Sequence, residues 1–242
     1  MNIWNSDSAG PLLARIPLHY GWGIMGAGTL CIFGCLGLGR FSLGMLLPSM
    51  GKSLQLSYSQ MGFLSTTNFV GYLLAVLASG KIMKHMGGRN VIALGLVLVA
   101  SSMILISKAH TMPVITILYL LTGMGSAIAN VPIMALISIW FSQRSRGKAS
   151  GFVVIGSGFA ILLCGRLIPY LNGLQSEGWR TSWFTLGCIV LACGLICYFI
   201  LRNNPAELGL KPVGYEAESS SDYKLDQGSD SLPIRSRIVL HC

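Results

Sequence analysis

Between Ser8 and Ser176 the sequence contains no aspartate and no glutamate. Charged residues of both signs make up only 10% of the chain, where a water-soluble domain carries about 25%. Too little charge is present to cover a water-facing surface. Without carboxylates, neither an acid–base dyad nor a metal cage can be built in that stretch. Nucleotide hydrolysis is excluded for lack of a glycine-rich loop leading to Lys-Ser or Lys-Thr. Gly156-Ser157-Gly158 lacks the G-x-S-x-G spacing of a nucleophile elbow. His19, His85, His110 and His241 fall outside the apolar runs or at their ends, so a histidine proton relay through hydrocarbon is missing too. Neither an enzyme activity nor a cofactor is expected.

What remains is apolar. Hydrophobic residues are 52% of the chain, and they gather into six runs close to the roughly 20 residues that cross a bilayer as a helix. The runs are Tyr20–Leu47, Gln60–Met83, Val91–Lys108, Pro113–Phe141, Ala149–Tyr170 and Trp183–Leu201. The first is too long for a signal peptide and is read as a retained helix. Six of the seven cysteines lie inside the runs. The pairs Cys31/Cys35 and Cys193/Cys197 share helix faces with no histidine or acid beside them, which fits packing rather than metal ligation. Pro132, inside the fourth run, is expected to kink its helix.

The net charge of +9 does not describe a nucleic-acid surface, because the bases sit in short gaps between apolar runs instead of on one stripe. Their distribution sets an orientation. Arg15, Lys81, Lys84, Arg89, Arg144, Arg146, Lys148 and Arg202 fall on one side, against Lys52, Lys108 and Arg180 on the other. Both termini are therefore expected in the cytoplasm, with residues 1–19 as a cytoplasmic lead-in. Past Arg202 the composition turns polar, serine-rich and acidic, so residues 203–233 read as a disordered cytoplasmic linker. Residues 234–242, IRSRIVLHC, turn apolar again, like the start of a seventh helix cut short.

Six helices followed by a long polar loop resemble the first half of a transporter of the major facilitator superfamily, and local sequence sharpens the likeness. Gly80-Lys81-Ile82-Met83-Lys84-His85-Met86-Gly87-Gly88-Arg89 is similar to the superfamily's loop motif between helices 2 and 3, G-x-x-x-D-x-x-G-R-[RK]. Gly80, Gly87 and Arg89 match, while Lys84 occupies the acid position and Gly88 the first basic one. In the family that acid joins a network latching the two halves, which Lys84 puts in question. Trp140-Phe141 with Arg146-Gly147-Lys148-Ala149 resembles the turn between helices 4 and 5. Gly178-Trp179-Arg180 with Trp183-Phe184 resembles the start of helix 6, and Asn204-Pro205-Ala206-Glu207-Leu208-Gly209-Leu210 its end. Gly37-Leu38-Gly39-Arg40-Phe41 with Leu47-Pro48 is similar to helix 1 of a bacterial branch near the monocarboxylate-transporter-like permeases. Two signatures depart from proton-coupled members: Tyr119 stands where an arginine often precedes the G-x-G of helix 4, and Gly158 is followed by Phe159 rather than proline. The resemblance implies an all-α fold of two inverted three-helix repeats. It also implies a second six-helix half, or another copy of the chain, as partner within the lipid bilayer.

Two charges lie well inside the runs, Arg40 and Arg166, about six residues past the middle of each, or roughly 9–10 Å at ~1.5 Å per residue. A charge at that depth needs a wet cavity, an anion or a partner in the other half, and its planar fork suits a carboxylate. The alternative is snorkelling to the headgroups. Tyr119, Thr122, Ser126 and Asn130 follow helical spacing on helix 4. With the family's helices 1 and 4 lining the cavity, this stripe implies a substrate wall, or else inter-helix hydrogen bonding. Asn68 and Tyr72 form a similar pair on helix 2. The resulting expectation is secondary transport of a small organic solute, an anion such as a monocarboxylate, by alternating access. The alternatives are efflux of a drug-like compound and a non-transporting fragment or interaction protein.

Overall fold

The computed structural model describes residues 20–174, 177–205, 209, 210 and 213. The expected lead-in 1–19, most of the linker 203–233 and the start of a seventh helix at 234–242 lie outside the described residues. Among the described residues, six helices are long and apolar enough to cross a membrane. They are α1 (Gly21–Ser53), α2 (Tyr58–Met86), α3 (Gly88–Lys108), α4 (Met112–Trp140), α5 (Gln143–Leu174) and α6 (Gly178–Ile200). No strand occurs among the described residues; a lone bridge joins Phe141 to Val213.

Each helix starts and stops for a local reason. Ser57 and Gln60 form a reciprocal capping box at the start of α2, with Ser57 Oγ accepting from the Gln60 N–H at 3.3 Å and Gln60 Oε1 from the Ser57 N–H at 2.9 Å. Gly87, at φ 76°, makes the break between α2 and α3, a conformation glycine adopts without strain. Pro113 sits in the first turn of α4, where its missing N–H costs nothing. The helices outrun the apolar runs most at α1, which continues through Pro48 to Ser53, and at α5, which begins at Gln143 and includes Arg144, Arg146 and Lys148. Hydropathy registers the hydrocarbon slab, whereas backbone hydrogen bonding carries the helix past it.

The bundle is built from two equivalent crossings. α5 packs on α1 and α2 on α4, while α3 lies along both α4 and α6. The sequence repeats Gly-x-Gly in the first helix of each half-bundle, as Gly37-Leu38-Gly39 and Gly123-Met124-Gly125. A Cβ on Gly37 would overlap Ala160 of α5, and one on Gly123 would overlap the Asn68 carbonyl of α2. The favour is returned: a Cβ on Gly156 of α5 would overlap the Thr29 carbonyl of α1, and one on Gly71 of α2 the Leu120 carbonyl of α4. Close backbone approach is how helices associate where lipid removes the hydrophobic drive. α2 and α5, the middle helices of the two repeats, carry much of the exposed apolar surface, including Leu73, Leu77, Phe159 and Leu162.

Bulky aromatics fill the interior: Trp140, Trp179, Trp183 and Tyr119 are essentially without exposure. At the end of the bundle formed by the α1–α2, α3–α4 and α5–α6 turns, polar groups are tied together. Arg180 bonds Glu177 Oε2 at 2.8 Å and donates to the carbonyls of Ser107 (3.1 Å) and Ala109, with Trp179 under its plane at 4.3 Å. Its other Nη lies 3.3 Å from His110 Nδ1. Asn172 of α5 donates to Ser49 of α1 at 3.1 Å.

Candidate functional site

The site begins with an irregularity in α1. From Phe33 to Phe41 the helix is π-helical, a geometry that appears mostly in short pieces and often at functional sites. The stretch FGCLGLGRF contains three glycines and no β-branched residue, so little side-chain bulk resists the wider turn. Gly39 brings α1 against Val99 of α3, where a Cβ would stand 2.8 Å from a methyl. Carbonyls along this segment then accept from α4: Ser126 Oγ donates to the Cys35 carbonyl at 2.7 Å, and the Tyr119 hydroxyl donates to the Arg40 carbonyl at 3.0 Å.

These bonds divide the helix 4 stripe. Tyr119, Thr122 and Ser126 are buried and direct their hydroxyls to neighbouring helices; Thr122 shares a hydrogen bond with Ser102 of α3 at 2.7 Å. Asn130 remains half-exposed, and its Nδ2 donates to the Tyr72 hydroxyl at 2.7 Å. Asn68 donates to the Tyr119 carbonyl at 3.1 Å, leaving its buried Oδ1 without a partner among the described residues.

Arg40 projects from the last turn of the π segment onto α2. Its guanidinium carbon lies 4.0 Å from the centroid of the Phe69 ring and 4.7 Å from that of Tyr72. Two ring faces attract the cation through their quadrupoles, yet they accept none of its in-plane N–H groups. Arg40 Nε is buried with no acceptor among the described residues. The one carboxylate among those residues, Glu177, is paired with Arg180. Arg40 is therefore a half-buried cation with no hydrogen bond from its Nε and no carboxylate beside it among the described residues.

Its depth is central. α1 spans Gly21–Ser53, which places Arg40 only ~5 Å past the helix middle at about 1.5 Å per residue, shallower than the longer offset expected from the apolar run ending at Leu47. Tyr72 is at the middle of α2, and Asn130 lies just past that of α4. Arg40, Phe69, Tyr72 and Asn130 thus form one cluster near the middles of α1, α2 and α4, and transporter folds place their solutes near the bilayer midplane. Arg166 is not part of it. It is exposed near the far end of α5, beside Pro169 and Tyr170, with no bonded partner among the described residues.

At the opposite end from Arg180, the 2–3 loop motif is tied within the bundle. Arg89 donates through Nε to the Tyr198 carbonyl at 2.8 Å and stacks on that ring at 4.2 Å, while its backbone N–H meets Asn203 Oδ1 at 2.8 Å. Gly87 sits against the Asn203 side chain. Gly80 and Lys84 are exposed, and no group of three or more metal-ligating residues occurs among the described residues.

A family model, Major Facilitator Superfamily, matches residues 29–226. The chain belongs to this superfamily. It is similar to a probable hexose phosphate transport protein of Chlamydia trachomatis, 27% identical over 72% of this chain and 38% of that protein. It is also similar to the membrane sensor protein UhpC of Escherichia coli, 25% identical over 72% of this chain and 39% of that protein. A third relative is a probable anion transporter 6, chloroplastic, of Arabidopsis thaliana, 28% identical over 70% of this chain and 35% of that protein. The chain spans about two fifths of the length of these relatives. As a member of the superfamily with six spanning helices, it is a multi-pass membrane protein with half of the superfamily fold.

Phe69 escapes a reading of the sequence, since one more aromatic in an apolar helix carries no polar signal. Its position three residues before Tyr72 is the available clue, because that spacing puts both rings on one face.

Proposed function

We propose that the chain forms the first half of a secondary transporter for a small organic anion, with Arg40 as the anion-binding group. The observation that carries this is the cation of Arg40 near the middle of α1, whose Nε has no acceptor and which meets no carboxylate among the described residues. An unpaired charge in hydrocarbon costs several kcal/mol, and a bound anion offsets that cost. Two of the relatives are named for a phosphate ester and for anions, which supports an organic anion; a monocarboxylate is one member of that class. Tyr72 and Asn130 are the further solute contacts. Tyr119, Thr122, Ser126 and Asn68 shape the wall by holding α1, α2, α3 and α4 in register, and Arg166 lies nearer the mouth, where it attracts anions. A second half, or a second copy, closes the cavity, and the two rock about the solute by alternating access.

The test is Arg40→Lys, which keeps the charge and removes the fork. Anion affinity should fall by roughly 1.5–3 kcal/mol, the range for hydrogen bonds to a charged group, in proteoliposome uptake of labelled anions. Equal transport of a neutral isostere by the unaltered protein would remove the anion-binding role. The likeness to a membrane sensor favours a second reading, solute binding without flux, which binding without uptake would establish.

Both termini are proposed to be cytoplasmic at the cell membrane, from the basic residues flanking α2–α3 and α4–α5. A cysteine placed at Ser57, in a background lacking native cysteines, should react with an impermeant thiol reagent from outside intact cells, and one at Ser145 should not. The reverse pattern would invert the topology.

A further inference from the structure

Between the far end of α1 and the start of α2 lies an open-sided cleft of about 660 Å³, within the roughly 300–1,000 Å³ of small-molecule sites. Two glycines keep it empty. A Cβ on Gly44 or on Gly62 would meet nothing within 4 Å, unlike one on Gly37 or Gly71, which would strike the next helix. Leu47, Pro48 and Met61 supply apolar walls. Ser65, at the inner end, turns its hydroxyl back to the Met61 carbonyl at 3.2 Å, so the depth of the cleft asks for no polar ligand. The other end is different. Lys52 and Tyr58 line it; Tyr58 is 91% exposed, and Lys52 has no hydrogen bond or ion pair among the described residues. Glu177, the one carboxylate among those residues, is held by Arg180 and by the Ser53 hydroxyl at 3.4 Å.

Depth decides what fits. At about 1.5 Å per residue, Gly44 lies ~10 Å from the middle of α1 and Lys52 ~22 Å from it, on either side of the ~15 Å half-thickness of a hydrocarbon core. The walls stand at acyl-chain depth and the cation at headgroup depth. A small anion would meet the lysine and leave the apolar walls against water. An uncharged chain would cover the walls and leave the lysine unused. The bilayer itself supplies a molecule with both parts in that order. We infer that the cleft binds an acidic phospholipid of the surrounding leaflet, with one acyl chain between α1 and α2 and the anionic headgroup on Lys52 beside Tyr58. The place is separate from the Arg40 cluster. Gly44 and Ser65 stop one turn short of Arg40 and Phe69 along their helices, and nothing here depends on what Arg40 binds.

The full chain is placed in phosphatidylcholine nanodiscs doped with phosphatidylglycerol or, separately, with phosphatidylcholine, each dopant carrying a photoactivatable diazirine in one acyl chain. Adducts are mapped by peptide mass spectrometry. Phosphatidylglycerol should label the α1–α2 peptides about fivefold more than phosphatidylcholine, the order for one lysine at an anionic headgroup. Lys52→Gln should bring the two lipids level. Gly44→Leu and Gly62→Leu each put a better helix former into open space. The melting temperature should hold or rise in both, while the phosphatidylglycerol adduct falls several-fold. If a leucine variant does not elute as a single species, Lys52→Gln decides alone. An ordinary lipid annulus would label these peptides without preference and would survive the filled cleft. Equal labelling by the two lipids, a preference kept in Lys52→Gln, or labelling undiminished in folded leucine variants overturns the inference. So does the absence of any adduct on α1 and α2, the result expected where a second half or a second copy covers the cleft.

Discussion

Arg40 and Arg180 start from the same resources. Both are half-buried, and both stack on an aromatic ring at about the same distance, 4.0 Å on Phe69 and 4.3 Å on Trp179. They differ in what holds their edges. Arg180 meets a carboxylate, two main-chain carbonyls and a histidine nitrogen, and joins α6 to the end of α3. Among the described residues Arg40 meets rings alone, and its Nε faces no acceptor. One arginine is satisfied by the protein and works as a tie. The other is left unsatisfied in the bundle's middle, where the cost of that state is highest. A cation can be equally buried and equally stacked in two places and serve opposite ends, and the edge-on hydrogen bonds separate the cases.

Replacing Arg40 with methionine would break the comparison most sharply. Anion binding should fall below detection in calorimetry, while the thermal midpoint stays level or rises, because a charge without a partner has been removed from hydrocarbon. Arg180→Met should do the reverse. It frees the carbonyls of Ser107 and Ala109 and strands Glu177, so stability should drop by about 1.5–3 kcal/mol, read as an earlier melt with unchanged anion affinity. A variant that lost both properties at either position would collapse the distinction. Glu177→Gln sharpens the picture at smaller scale. Glu177 is more than half exposed, so its pair with Arg180 should contribute no more than about 1 kcal/mol, fading as salt is added.

The spanning helices are legible in the sequence because lipid imposes a length and an apolarity that few other environments demand. Their ends are less so. Arg144, Arg146 and Lys148 read as a turn by hydropathy, yet they occupy the first turns of α5, with Arg146 donating to the Ser138 carbonyl at 2.7 Å. Helical spacing puts Tyr119, Thr122, Ser126 and Asn130 on one face, but spacing has no information about which neighbour that face meets. Three of the four turned out to abut α1 or α3, and only Asn130 reaches the accessible cluster. Arg40 stands out in the sequence as a charge within an apolar run. Its aromatic shelf does not, because Phe69 becomes part of a site only once α2 crosses beside α1. The π segment leaves no compositional mark beyond its three glycines.

That segment has a genetic consequence. A π turn holds more residues than an α turn between the same two ends, so Phe33–Phe41 behaves as though one amino acid had been inserted into an otherwise regular helix. Substitutions, however many, preserve that surplus, and scanning mutagenesis would pass over it. Deletion of a single codon within the stretch would let α1 close into uninterrupted α geometry. Ile24, Cys31 and Ile32 before the segment would keep their buried faces, and Ser49 beyond it its bond to Asn172, because the residue removed is the one the wider turns absorb. Arg40, inside the segment, would lose its place over Phe69 and Tyr72. Gene length, counted to the single codon, is thus part of what aims Arg40 at its rings.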